Sequence, residues 1–392
     1  MSLRDVTVDL GPLTVFVGKN GSGKSAIFKA LTTLSRLLNG VPLRGFRTGD
    51  FQMEPGVTFD SIVWQGNSGL PIKFHVWLDD DGGEPSYTLE MAKGIEGWSV
   101  TRERMIAGDD RIEVDEDHEF SHPTERGDAR VHRAPLRATL RYLVNPFVND
   151  SKSRPVIEPI LRFSKKFGQA FRYRPSANDI ARFVSLPAEA GRRISVSENG
   201  YGLAAELQAI QGSKREIFEA IEKAVCRVFP HIRTIGFNTE RQGVRLTFMT
   251  YRSQDLLPAP QESDGVLLAT FLFWRLYTAG DAPMIVCLEE PENGLHPLLL
   301  AGRFEVLRKF AHAEEGRLAV QLMVATHSPE FLRAIHAHRG ALWEDLRLAE
   351  FTDQEGASIR GLRDFREASN LYEDYREEMQ KCWKSVVENW PA

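Results

Sequence analysis

The 392-residue chain has little cysteine: Cys226, Cys287 and Cys382 are far apart and show no C-x-x-C spacing. An odd, scattered set excludes a disulfide framework and a zinc-site reading, and leaves thiols for packing or the surface. No apolar run approaches the ~18 residues of a membrane span. The opening Met-Ser-Leu-Arg-Asp has no apolar signal core, so the expected setting is the cytoplasm, with no membrane contact. Positive charge is not in excess: 49 basic against 54 acidic side chains leave −5, which excludes a cation-coated surface but permits a local basic face. Internal repeats, low-complexity tracts and sustained heptads are also missing, so neither a solenoid nor a coiled-coil arm is expected. The hydrophobic share of 42% supplies a core for one large domain with insertions or for two domains.

What is present is organised around Gly18-Lys19-Asn20-Gly21-Ser22-Gly23-Lys24-Ser25, which fills every position of the pattern G-x-x-x-x-G-K-[ST]. Leu13 to Val17 before it reads as a short buried strand, and Ala26 to Leu38 after it as a helix with apolar residues at helical spacing. A strand, a Gly-rich turn and a helix bring consecutive N–H groups and a helix N-terminus to one point, which favours a polyphosphate. Lys24 is placed to reach the β and γ phosphates, and the Ser25 hydroxyl to join the shell of a bridging Mg2+. The pattern implies binding of a nucleoside triphosphate.

Ser61–Gln65, Ile72–Leu78 and Tyr87–Met91 alternate as strands do and predict an antiparallel meander. The polar stretch 107–133 predicts a loop or a weakly ordered connection. From Leu136 to Val228 the pattern is mostly helical. Inside it, residues 152–182 mix eight Lys and Arg with Phe163, Phe167, Phe171 and Tyr173. Such mixing suits either a nucleic-acid surface or an amphipathic helix with its rings in the core. Lys214–Val228 reads as an amphipathic helix, Ile232–Phe237 and Val244–Met249 as paired strands, and Val266–Tyr277 as an apolar helix. Met284–Leu288 and Ala319–Val324 are buried strands flanking a helix at Leu298–Ala311, so the core is α/β with a mostly parallel sheet and its ligand at the carboxyl ends of the strands.

The strand at 284 closes on Glu289-Glu290, giving two carboxylates two tasks: Glu289 toward Mg2+ and Glu290 toward an attacking water. His327, directly after the next buried strand, is placed to hydrogen-bond the γ-phosphate or that water. Ser263 and Gly265 open the apolar helix and make a second anion site.

This set resembles the ATPase core shared by ABC transporters, SMC-like repair proteins and OLD-type ATPases. It is most similar to the stand-alone ABC-type AAA ATPases of the AAA-21 and AAA-15 groups. The likeness lies in Gly18–Ser25, Ser263-Asp264-Gly265, Leu288 to Pro297 and Ala325-Thr326-His327-Ser328. It implies a P-loop NTPase fold of ABC-ATPase type with a β meander and a helical insertion, binding ATP and Mg2+ and hydrolysing ATP. By match, Lys24 and Ser25 are Walker A residues, Glu289 and Glu290 the Walker B acid and catalytic glutamate, and His327 the switch histidine. The resemblance further implies a head-to-tail dimer in which Ser263 and Gly265 reach the partner's γ-phosphate, and a Q-loop glutamine, Gln65 ahead of Gln52. The sequence departs from that pattern in Glu289, where transporters have Asp, in a signature shortened to Ser-Asp-Gly, and in a start that looks trimmed, because relatives usually carry another strand before the Leu-Arg-Asp at Leu3 to Asp5. The divisions expected are an N-terminal ATPase lobe (1–135), a helical insertion (136–213), a C-terminal ATPase lobe (214–345) and a tail (346–392).

The stretch after His327 carries no acidic cluster of the Toprim kind, so no intrinsic nuclease is expected. Similar stand-alone ATPases act in prokaryotic anti-phage systems, which points to control of a separately encoded effector such as a nuclease. The alternatives are an SMC-like clamp that binds DNA itself and a transporter subunit, the first weakened by the absent heptads and the second by the helical insertion. In the tail, Tyr372, Tyr375, Met379, Cys382, Trp383, Val386 and Trp390 recur at helical steps. That stripe suits packing on the core or docking of a partner.

Overall fold

A computed structural model describes residues 3–38, 63, 69–78, 85–94, 97–107, 110–114, 119–123, 129–133, 163, 167, 169–185, 195–240, 243–251, 253–278, 284–293, 307–308, 310–312, 320–328 and 345–362, with isolated positions in the tail. The strands are β1 (Leu13–Val17), β2 (Ile72–Trp77), β3 (Ser86–Gly94), β4 (Gly97–Ala107), β5 (Asp110–Val114), β6 (Glu119–Pro123), β7 (Ala129–Arg133), β8 (Gln169–Tyr173), β9 (Val184–Ser185), β10 (Ile232–Glu240), β11 (Gly243–Thr250), β12 (Ser253–Pro258), β13 (Met284–Glu289), β14 (Val320–Thr326), β15 (Leu346–Thr352) and β16 (Gly356–Gly361). The helices are α1 (Lys24–Leu38), α2 (Ala177–Ile180), α3 (Leu203–Ser213), α4 (Arg215–Val228) and α5 (Asp264–Tyr277).

β1 is apolar apart from Thr14 and wholly buried, a pattern that needs cover on both faces and finds it in the middle of a parallel sheet. The core sheet has the order β16-β15-β1-β14-β13-β8, and every neighbouring pair is parallel except β15 with β16. Because successive side chains point to opposite faces, each central strand feeds two cores. Leu13, Val15, Val17, Val286, Leu288, Leu322 and Val324 pack on one face with α3, α4 and α5. Phe16, Ile285, Cys287, Met323 and Ala325 pack on the other with α1 and with Tyr87, Leu89, Met91 and Met105 of the meander. The fold is therefore α/β, a mostly parallel core sheet with α1 and the antiparallel sheet β2–β7 on one side, and α3, α4, α5 and the antiparallel sheet β10-β11-β12, with β9 on β11, on the other.

α1 spans its expected range and sets Phe28 edge-on to Phe16 of β1, with ring centroids 5.7 Å apart. α4 buries Phe218, Ile221 and Val225, one stripe at helical spacing, and ends at Phe229 before Pro230. The pairing expected for the strands at 232 and 244 is present as β10 and β11, antiparallel from Ile232↔Thr250 to Glu240↔Gly243.

Two expectations are corrected. Residues 107–133, read as a loop, carry β5, β6 and β7, which extend the meander β2-β3-β4-β5-β6-β7 strand by strand. Polar composition misleads there because a sheet with one solvated face accepts charged strands once β4 offers its edge. Within the stretch read as helical, Gln169–Tyr173 is instead β8, the edge strand beside β13. Its aromatic residues fit a half-buried pleat, and the ladder with β13 outweighs the local helical spacing. β9 likewise pairs with β11. Of Ser61–Gln65, only Val63 lies within the described residues, and it is buried. Gln52, Gln65, most of the helix expected at 298–311 and the tail stripe at 372–390 lie outside them.

Among the described residues no helix is long and apolar enough to cross a membrane. Cys226 and Cys287 are free thiols; Cys382 lies outside the described residues.

Candidate functional site

Three core strands end at one edge. Val17 pairs with Thr326 across β1 and β14, and Glu289 with Ala325 across β13 and β14. The loop after β1, the pair Glu289-Glu290 and His327 therefore emerge side by side, over the carboxyl ends of a parallel sheet.

The loop after β1 turns through two left-handed glycines, Gly21 at φ 82° and Gly23 at φ 98°, a conformation that side chains with a Cβ resist. α1 starts immediately afterwards at Lys24. Ala26 N and Ile27 N donate to Gly23 O at 3.0 and 3.2 Å, which closes the first helical turn. Lys19, Asn20, Gly21 and Ser25 are exposed, while Ser22, Gly23 and Lys24 are buried. The Lys24 ammonium donates to Gly18 O at 2.6 Å, Lys19 O at 2.8 Å and Ser22 Oγ at 3.3 Å. Burial lowers its pKa, and the nearby charges of Glu290, Glu289 and Glu292 oppose that shift.

Glu289 is 5% exposed and accepts at Oε1 from Arg172 Nε at 2.7 Å. Arg172 also lies 3.6 Å from Glu198. Glu290 has φ 48°, the only positive φ outside glycine among the described residues, and its N–H donates to Ala325 O at 2.8 Å. Its Oε2 accepts from Asn293 Nδ2 at 2.9 Å and Arg174 NH2 at 3.3 Å. Its Oε1 stands 3.4 Å from His327 Nδ1. Behind them the Thr326 hydroxyl donates to buried Glu292 and accepts from Ser328 N.

The structure thus brings Gly18–Ser25, Glu289, Glu290 and His327 to one edge. Ser263 and Gly265 stand elsewhere, at the head of α5. Ser263 is exposed, makes no side-chain cap, and its N–H donates to Glu262 Oε1 at 2.9 Å. Arg172, Arg174, Asn293 and Thr326 join the site without having been assigned to it from the sequence. Asn293 and Thr326 sit inside the quoted motifs, whereas the two arginines carry no local signal and belong to the basic, aromatic stretch 152–182. In that stretch Phe163 and Phe167 are buried with their rings stacked at 6.3 Å, and Tyr173 is buried as well. Arg182 pairs with Asp179. Its described rings fill the core, and its described arginines hold carboxylates.

The residues present fit a magnesium triphosphate. Two left-handed glycines open the loop, a buried ammonium lies under it, an exposed hydroxyl at Ser25 begins α1, and the Glu289 carboxylate ends a strand within the electrostatic reach of Lys24. Hard oxygen donors of this kind suit Mg2+, which takes only a few protein ligands and shares the phosphates.

The sequence matches the AAA_21 family model, described as "AAA domain, putative AbiEii toxin, Type IV TA system", over residues 13–333. A comparison with curated proteins returns no match. Among solved structures the chain is similar to an Smc head bound to the C-winged helix domain of ScpA, at 13% identity over 91% of this chain and 92% of that one, TM-score 0.42. It is also similar to the SMC head domain from Thermotoga maritima, at 11% identity over 91% and 93%, TM-score 0.36. A third is an Smc head with an extended coiled coil bound to the C-terminal domain of ScpA, derived from Pyrococcus furiosus, at 10% identity over 95% of each chain, TM-score 0.41.

Proposed function

Because the chain belongs to the AAA_21 family of AAA domains, we propose that it binds and hydrolyses ATP as a nucleotide-gated dimer controlling a separately encoded effector. The observation that carries the enzymatic part is the convergence of Lys24, Glu289, Glu290 and His327 on the carboxyl edge of one parallel sheet. In this reading Lys24 exchanges a loop carbonyl for the β and γ phosphate oxygens, a stronger charge-assisted bond. Ser25 and Glu289 would hold Mg2+, whose charge screens the phosphates when it is bound. Glu290 polarises the attacking water, and His327 orients it or contacts the γ-phosphate. Catalysis of this kind is mainly positioning and charge stabilisation.

Ser263, exposed just ahead of α5, and Gly265, buried in its first turn, are proposed to close over the γ-phosphate of a partner subunit in a head-to-tail dimer. The family description names a toxin of a two-part system, which supports a separately encoded partner. An anti-phage role with a nuclease effector is the finer form of this reading. Calorimetry with MgATP tests its base: Lys24→Ala is expected to lose most ATP affinity, and unchanged affinity sinks the site assignment.

A second reading, direct contact with nucleic acid, is supported by the outer face of the meander. There Lys73, His75, Arg102 and Arg104 line a groove of about 280 Å3 in which Glu90 is the one acid among the lining residues. Lys73 and Glu90 pair at 3.0 Å, leaving the face net basic. Salt-dependent binding of a fluorescent duplex, lost in Lys73→Glu/Arg104→Glu, would favour it. No binding at low salt removes it.

A further inference from the structure

β8 runs parallel to β13 with Cys287 opposite Arg172 and Leu288 opposite Tyr173, so its carboxyl end lies level with Glu289-Glu290. Residues two apart on an extended chain point to the same side. Arg174 continues that extension, because the residue before a proline, here Pro175, is kept out of the helical region. Its N–H donates to Glu198 O at 3.0 Å, which fastens the segment. Arg172 and Arg174 therefore present two guanidinium groups on one side.

Glu289 and Glu290 are consecutive, and in a regular strand they would point to opposite sides. The left-handed φ of 48° at Glu290 breaks that alternation, and both carboxylates meet the arginine pair. On Glu290 the contacts divide by oxygen. Oε2 is taken by Asn293 and Arg174, whereas Oε1 faces His327.

We propose that Arg174 is a positioning residue for hydrolysis: with Asn293 it holds Oε2 of Glu290, so that Oε1 is the oxygen presented to the attacking water. Arg172 is its fixed counterpart, neutralising Glu289 from the strand interior. The side-chain exposures separate the two roles, 63% for Arg174 and 14% for Arg172. Arg174 can be exchanged without opening the core. The inference rests on the reading of Glu290 as the water-polarising group.

The test uses the full chain with Arg174→Gln, Arg174→Lys, Glu290→Gln and the double Arg174→Gln/Glu290→Gln. Arg174→Gln is expected to lower kcat about 10-fold while MgATP affinity by calorimetry stays within about 3-fold, since the interaction acts after binding. Arg174→Lys, which keeps the charge but not the planar fork, should recover part of the loss. In single-turnover measurements the Arg174 change should have little further effect once Glu290 is Gln, because residues acting as a unit are not additive. By size exclusion with MgATP, Arg174→Gln should retain more ATP-bound dimer than the wild type. Wild-type turnover in Arg174→Gln, or a loss that persists undiminished beside Glu290→Gln, overturns the proposal. If Glu290→Gln itself hydrolyses ATP normally, the parent reading fails with it. A slow Glu290→Gln beside a normal Arg174→Gln removes only the positioning role.

Discussion

The carbonyl oxygen of Ala349 lies 2.2 Å from the place a Cβ on Gly18 would occupy, so the first glycine of the phosphate loop is fixed by β15. Gly21 differs: nothing stands within 4 Å of its added Cβ, and only its φ of 82° resists a side chain. Gly18→Ala must push two core backbones apart and is expected to cost about 3 kcal/mol or more, on the scale of core overpacking. Gly21→Ala should cost only about 1 kcal/mol, the left-handed penalty. Urea unfolding of both variants checks the order, and equal losses would contradict the close approach of β15.

Glu290 combines a catalytic assignment with an uncommon backbone, and two substitutions separate them. Glu290→Gln should keep ATP binding and slow hydrolysis by roughly 100-fold, the scale of losing a water-positioning group. Glu290→Gly removes the same carboxylate but accepts φ 48° freely, so it should unfold about 1 kcal/mol later than Glu290→Gln. A Gly variant less stable than the Gln variant would show that the side chain's bonds to Asn293 and Arg174 outweigh the backbone cost.

Glu289 is buried and bonded to Arg172, so loss of that arginine would leave its charge without the pair. Arg172→Ala strands that carboxylate and is expected to destabilise the protein by about 3 kcal/mol. Adding Glu289→Gln should recover much of that loss. Thermal melts of the two single variants and the double give the coupling, and additive losses would mean that the ion pair is not what the core depends on.

Ser263 is exposed and its bonds among the described residues are local, and its proposed partner is a second subunit. Mixing Ser263→Arg with Lys24→Ala subunits should regenerate one intact composite site per heterodimer and restore part of the ATPase rate. Failure to recover activity at every mixing ratio, with heterodimers shown to form, argues against the head-to-tail arrangement.

By itself the sequence determined the contiguous parts of this protein. The glycines at 21 and 23 dictate a loop only they can turn, the apolar runs of β1, β13 and β14 demand burial on both faces, and the stripe of α4 allows one inward side. Those are local constraints, legible because the residues that cause them are neighbours in the chain. The tertiary structure decided what distant ladders impose. Residues 169–173 become a strand because β13 offers an edge, and 110–114, 119–123 and 129–133 become strands in turn, starting from the edge of β4. Only that first pairing carries Arg172 and Arg174 more than a hundred positions along the chain to the acids they hold. No spacing rule reports such a meeting, since backbone hydrogen bonds between strands are made without regard to sequence separation, and the composition at 169–173 looks helical until the pair is formed.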